Sequence, residues 1–157
     1  MSSWQGLVSV WHEWQWIGIL LARWSVGLLF AISGGGKLFV PARREQMCQT
    51  LATAGLPAPA INAVLISSVE FVAGAFLVLG FLTPLCCLLL IGNMLGALCM
   101  TVIPGMKSSS VLGWLGEFLY LPEVQYVVIL VWLLLSGPGW LSLDQFMLSS
   151  SLYQGNH

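Results

Sequence analysis

Four long apolar runs, at roughly residues 17–39, 61–82, 84–104 and 123–140, leave this chain of 157 residues few ways to fold. A bilayer hydrocarbon core about 30 Å thick is crossed by about 20 mainly apolar helical residues, and each run is close to that length. Hydrophobic residues make up 58% of the chain and charged residues only 7%, with a mean hydropathy of +0.90, against about 25% charged residues in an ordinary soluble domain. The expected fold is therefore an all-α membrane protein, a four-transmembrane-helix bundle that takes up residues 1–157 as a single domain. Membrane lipid is the partner that composition dictates. A net charge of −1 gives no long-range attraction to nucleic acid.

Five of the eight tryptophans fall in the first 24 residues, and Trp4, Leu7, Trp11 and Trp14 recur at spacings of three and four. Indole rings favour the headgroup level of a bilayer. Residues 3–15 are thus expected to form a short N-terminal interfacial helix leading into the first span. His12 and Glu13 occur there in "WHEWQW", which lacks the second histidine of HExxH because Trp16 stands in its place. No charged n-region precedes the first apolar run, so it reads as a retained crossing and not a cleaved signal.

Between the runs, "AGLPAPA" carries Pro57 and Pro59 and opposes helix continuation, and Pro84 suits the first turn of a new helix after the short "GFLTPL" connection. Spans two and three must then be antiparallel neighbours. The third connection, residues 105–122, is too apolar for a free loop and lies on or dips into the membrane. "SLDQ", Ser142 to Gln145, is a capping-box pattern. Lys37, Arg43, Arg44 and Lys107 border connections one and three, which the positive-inside tendency places in the cytoplasm, with both termini on the periplasmic side.

The residues that constrain function most are charges inside the apolar runs. Arg23, Gly27, Phe30, Gly34 and Lys37 follow at intervals of four, three, four and three, which keeps them on one helical stripe. A charge at mid-membrane costs at least about 2.5–3.5 kcal/mol on insertion scales, so the stripe should face the bundle. Its glycines permit another helix to come close. Glu70 lies mid-span in "SSVEFVAGAF", with Ser67 and Gly74 on its side of the helix. The preferred pair is Arg23 with Glu70, because a guanidinium grips a carboxylate through two hydrogen bonds; Lys37 is left to snorkel to water or to meet Glu123. Such a pair serves either as an architectural register pin or as the site of a polar or redox-active headgroup.

Asn93 lies between Gly92 and Gly96 at GxxxG spacing, which interhelical packing explains without a ligand and which also makes a homodimer conceivable. Cys86 and Cys87 are adjacent, so a vicinal redox thiol pair stands against a reading as small apolar packers. The four cysteines form no CxxC, and two histidines do not supply paired haem ligands or a metal site. No phosphate-binding loop, dinucleotide fingerprint or nucleophile elbow occurs.

"LARWSVGLLFAISGGGKLF", "AGLPAPA", "VEFVAGAFLVLGFLTPL" and "SGPGWLSLD" together resemble, in their order and spacing, the DoxX family of small bacterial membrane proteins. The matching positions are Arg23, Gly27, Phe30, Gly34, Lys37, Glu70, Gly74, Gly80 and the Gly137-Pro138-Gly139 turn, with Glu123 corresponding to an acidic residue before the fourth span. The resemblance implies a multi-pass protein of the bacterial inner membrane. It also implies a place in redox systems, such as thiosulfate:quinone oxidoreductase, a membrane complex countering oxidative stress, or operons for iron-dependent peptide-modifying enzymes. The expectation is an oxidoreductase subunit at most, holding a quinone headgroup or a partner enzyme of a redox or peptide-modifying system at Arg23, Lys37, Glu70 and Asn93. Glu123, Cys86 and Cys87 are secondary candidates. A noncatalytic anchor or assembly factor is the second reading and a small-solute carrier the third.

Overall fold

The computed structural model describes residues 3–106 and 110–147, with side chains from residue 14 onward. The side chains of Trp4, Leu7, Trp11, His12 and Glu13, and all of Lys107 and His157, lie outside the described residues. Among the described residues the α-helices include, in order, α1 (Ser3–Phe39), α2 (Pro41–Thr53), α3 (Pro59–Leu79), α4 (Thr83–Ala97), α5 (Val111–Leu119) and α6 (Pro122–Ser136). A π-helical turn, Leu98–Val102, and a 3₁₀ turn, Ile103–Gly105, extend α4. The described residues contain no strand. Three helical segments are long and apolar enough to cross a membrane, Trp14–Phe39, Pro59–Leu79 and Thr83–Gly105. A fourth crossing arises if α5 and α6, bent by 62° at their junction, act as one broken span.

Proline sets most of the helix starts. It stands in the first two positions of α2, α3, α4 and α6, where its missing N–H removes a donor that has no intrahelical partner anyway. α1 departs from expectation, because the short N-terminal interfacial helix is not a separate element and residues 3–39 form one helix. No proline lies within it, and the isolated Gly6 and Gly18 each cost only about 1 kcal/mol of helix propensity. At 1.5 Å per residue its 37 residues reach about 55 Å, well beyond a 30 Å hydrocarbon core.

The four long helices form a closed ring in which α1 touches α3 and α6, and α4 touches the same two; α2 lies across α1 and α3. The most extensive contact is α1 on α3, and small residues create it. A Cβ added at Gly74 would lie 2.5 Å from the backbone nitrogen of Ala31 and 2.8 Å from the carbonyl oxygen of Gly27. One added at Gly34 would lie 2.5 Å from the Phe71 nitrogen and 2.7 Å from the Ser67 carbonyl oxygen. The two backbones are thus in direct contact at two levels seven residues apart, with Gly27 facing Gly74 and Gly34 facing Ser67. The buried stripe of α1 is Ile19, Arg23, Val26, Gly27, Phe30 and Gly34, with the half-buried Lys37 at its end, as the spacing of its charges and glycines demands.

The GxxxG pattern of α4 behaves differently. A Cβ at Gly92 or Gly96 would meet nothing within 4 Å, so these glycines pack against no helix among the described residues and instead line open space. This corrects the expectation of close helix packing around Asn93. Overpacking a tight contact costs about 1–3 kcal/mol. Gly74→Ala is therefore expected to lower the thermal unfolding midpoint of the detergent-purified protein, whereas Gly92→Ala leaves it unchanged or raises it.

Candidate functional site

The register fixed by the glycine contacts decides which charges meet. Because Gly34 lies against Ser67, Glu70 and Phe71, Glu70 is about one helical turn from Lys37 and about 16 Å along α1 from Arg23. Lys37 Nζ donates to both carboxylate oxygens of Glu70, at 2.9 Å and 2.7 Å. Asn93 Nδ2 donates to Glu70 Oε1 at 2.9 Å, and the Ser33 hydroxyl lies at 3.5 Å from Oε2. The Glu70 side chain is 3% exposed and that of Lys37 25%. Three of the four principal candidates, Lys37, Glu70 and Asn93, are thereby brought together from α1, α3 and α4.

Arg23 is not part of this cluster, which overturns the expected Arg23–Glu70 pair. Its guanidinium sits at the other end of the bundle, 2% exposed. Nη1 donates to the Pro138 carbonyl and Nη2 to the Leu141 carbonyl. Gly80 (φ 67°) makes room for it, since a Cβ there would lie 2.6 Å from Nη1. Asp144 accepts hydrogen bonds from the Leu82 and Thr83 nitrogens at 2.7 and 2.8 Å, and its own nitrogen donates to the Gly80 carbonyl. It therefore caps α4, holding Leu82 in a left-handed conformation at φ 49°. Ser142 accepts from the Gln145 nitrogen at 3.1 Å, as the capping-box spacing indicated. Arg23 thus clasps the C-terminal turn, an architectural role that sequence spacing did not reveal.

Lys37, Glu70 and Asn93 lie on the wall of a cavity of about 480 Å³. Its apolar lining comes from Leu29, Phe30, Leu51, Ile66, Met94 and Met100, and its other polar groups include Ser33, Thr50, Thr101, Glu123 and Tyr126. Glu123 does not pair with Lys37. Its Oε2 is buried and has no hydrogen-bond partner among the described residues. Cys86 and Cys87 are elsewhere, 2% and 0% exposed within the hydrophobic core beside Leu77, Leu90 and Leu133. They are free thiols, and Cys86 Sγ approaches the Phe81 carbonyl at 3.5 Å. Neither lines the cavity. Among the described residues no group of three or more His, Cys, Asp or Glu side chains is placed to hold a metal ion.

The cluster offers a ligand specific chemistry. Lys37 has three donors, of which the two carboxylate bonds use two. Asn93 keeps its carbonyl oxygen and a second N–H, and Tyr126 its hydroxyl. A polar head bearing carbonyl or hydroxyl groups finds both donors and acceptors here, with apolar walls for the rest of the molecule. The ion pair itself depends on both partners, because removing one leaves a buried charge uncompensated at a cost of about 3–5 kcal/mol. Lys37→Met is expected to destabilise the protein by about that amount in thermal or denaturant unfolding, and the double variant Lys37→Met/Glu70→Met to recover most of the loss.

Three comparisons bear on identity. The family model of DoxX matches residues 18–102, which covers both helices that supply the ion pair and the helix that carries Asn93. A curated relative, the "Uncharacterized membrane protein Rv3486" of Mycobacterium tuberculosis (strain ATCC 25618 / H37Rv), is 30% identical over 136 residues, 81% of this chain and 79% of the relative. No solved structure matches. With more than half of the chain matched by the family model and a membrane protein aligned along most of its length, the chain is a membrane protein of the DoxX family.

Proposed function

We propose that the protein is an inner-membrane subunit of a redox-linked system and that its central cavity holds the headgroup of a quinone-like lipid. The observation that carries this reading is the Lys37–Glu70–Asn93 cluster on the wall of an otherwise largely apolar cavity of about 480 Å³. Drug-sized and cofactor-sized ligands occupy pockets of about 300–1,000 Å³ with apolar walls and a few fixed polar groups. A quinone ring offers two carbonyl acceptors, or two hydroxyls once reduced, to Lys37, Asn93 and Tyr126. The unpartnered Glu123 oxygen is an acceptor for a hydroxyl on the ligand. Family membership supports the redox context by analogy only, since one fold serves many functions.

In this reading the end of the bundle that carries Lys37, Arg43 and Arg44 faces the cytoplasm, by the tendency of basic residues to remain inside. The termini then face the periplasm. A noncatalytic anchor for a partner enzyme is the second reading, favoured by one observation: the Lys37–Glu70 pair neutralises itself within the protein, as a purely architectural pair does.

Titration of the purified protein with a short-chain quinone, followed by quenching of its tryptophans, separates the two. Headgroup binding predicts saturable quenching that weakens about ten- to a hundredfold in Glu70→Gln and Asn93→Leu, the loss expected for a hydrogen bond to a charged or buried group. An anchor predicts no saturable quenching and unchanged recovery of the partner with either variant.

A further inference from the structure

The cavity around Lys37 and Glu70 has a neighbour. Thr50, Met100 and Thr101 line both it and a second space of about 590 Å³ between α2 and the end of α4. The outer space is walled on the α2 side by Gln46, Gln49, Thr50 and Thr53, all exposed, and on the other by Pro104, Gly105 and the half-buried Thr101. Among the described residues its polar side chains are amides and hydroxyls, and none is charged. The Thr50, Thr53 and Thr101 hydroxyls donate to carbonyls of their own helices and the Gln49 amide to Glu45. The hydroxyl oxygens thus remain as acceptors, and the remaining amide N–H groups of Gln46 and Gln49 as donors, for water or a neutral polar molecule. These side chains supply no ionic partner for a free ion.

The wall common to the two spaces lies partly on the π-helical turn Leu98–Val102, which carries Met100 and Thr101. π-Helical turns interrupt regular α-helical hydrogen bonding and occur frequently at functional sites. Met100, with three rotatable bonds, is an adaptable side chain for such a boundary. In the opposite direction the path ends. Leu77, Cys87, Leu90, Leu130 and Leu133 are completely buried there, and beyond them Arg23 binds the C-terminal turn while Asp144 joins it to the α3–α4 connection.

We propose that the gap between α2 and the π-helical turn of α4 is a vestibule through which a small, neutral, hydrogen-bonding molecule reaches the Lys37–Glu70–Asn93 cluster from the water on the α2 side of the membrane. The other end of the bundle is sealed to the same molecule. The vestibule gives the site one-sided exchange with solution, while apolar ligands keep the bilayer as their source. The inference shares its cavity with the proposed headgroup site but does not depend on what fills that cavity.

Thiol labelling tests it in the intact chain with Cys48, Cys86, Cys87 and Cys99 replaced by alanine. The probe is a maleimide joined to a neutral sugar, which does not cross bilayers, applied to sealed vesicles of each orientation. Thr101→Cys and, on the facing wall, Thr50→Cys are expected to react only in the orientation that labels Ala42→Cys on α2. Their rates are expected to exceed that of the core variant Leu90→Cys by about tenfold, because thiol reactivity follows access. Adding Gln49→Trp is expected to slow Thr101→Cys by about tenfold and to leave Ala42→Cys unchanged. A sulfonated or quaternary-ammonium maleimide is expected to react more slowly than the neutral one. Labelling of Thr101→Cys and Thr50→Cys from the opposite face, rates no higher than that of Leu90→Cys, or faster reaction with a charged reagent each overturn the proposal. No quinone enters this assay, so a failure of headgroup binding and a failure of the vestibule are separate results.

Discussion

Backbone contact between α1 and α3 determines which charges meet inside this protein. Two pairs of small residues, Gly27 with Gly74 and Gly34 with Ser67, hold the helices antiparallel in one register. A shift by one turn, about 5.4 Å, would carry Lys37 away from Glu70 and Arg23 away from Gly80. In a bilayer the association of helices draws little from the hydrophobic effect and depends instead on close packing and polar contacts. Here both act together, since the packing that removes side chains from the α1–α3 seam places an ion pair at one end of it.

The two intramembrane cations meet different solutions. Lys37 is paired with a carboxylate that Asn93 also binds, beside a cavity that leaves polar capacity unused. Arg23 is gripped by main-chain carbonyls and lies in packed protein. A planar guanidinium with several fixed donors suits two carbonyls presented by one turn, and an ammonium suits the point contact with a carboxylate. The difference divides the bundle into an open end by α2 and a closed end by the Gly137-Pro138-Gly139 turn.

Much of this arrangement is legible in the chain itself. The four apolar runs, the inward stripe of α1, the prolines that start helices and the place of Lys37, Glu70 and Asn93 among the candidate residues follow from hydropathy and helical periodicity, whereas their meeting in one cluster does not. The partner of Glu70 did not, because periodicity gives the face of a helix and not its axial register. Gly27 and Gly34 are seven residues apart, as are Ser67 and Gly74, and matching these small pairs antiparallel marks the contact but leaves Glu70 opposite Ala31, about 9 Å along the axis from Lys37 and about 12 Å from Arg23, so it does not decide between the two cations. The Arg23 contacts lie more than a hundred residues away in sequence and leave no local pattern. Nor did the run of tryptophans reveal that α1 continues unbroken, since interfacial rings are compatible with a lying or a crossing helix. Gly92 and Gly96 looked like packing residues because GxxxG is read as a contact motif, although a missing side chain can equally be what hollows a cavity.

The clasp between Arg23 and the Pro138–Leu141 turn also has a consequence for biogenesis. Ribosomes deliver the first helix long before the last turn, so during synthesis this arginine enters the membrane environment without the carbonyls that will eventually bind it. Its final solvation waits on the far end of the message. A chain that ends before the turn keeps this cation without the two carbonyls that accept its hydrogen bonds, and carries the cost of an unsatisfied charge in the membrane.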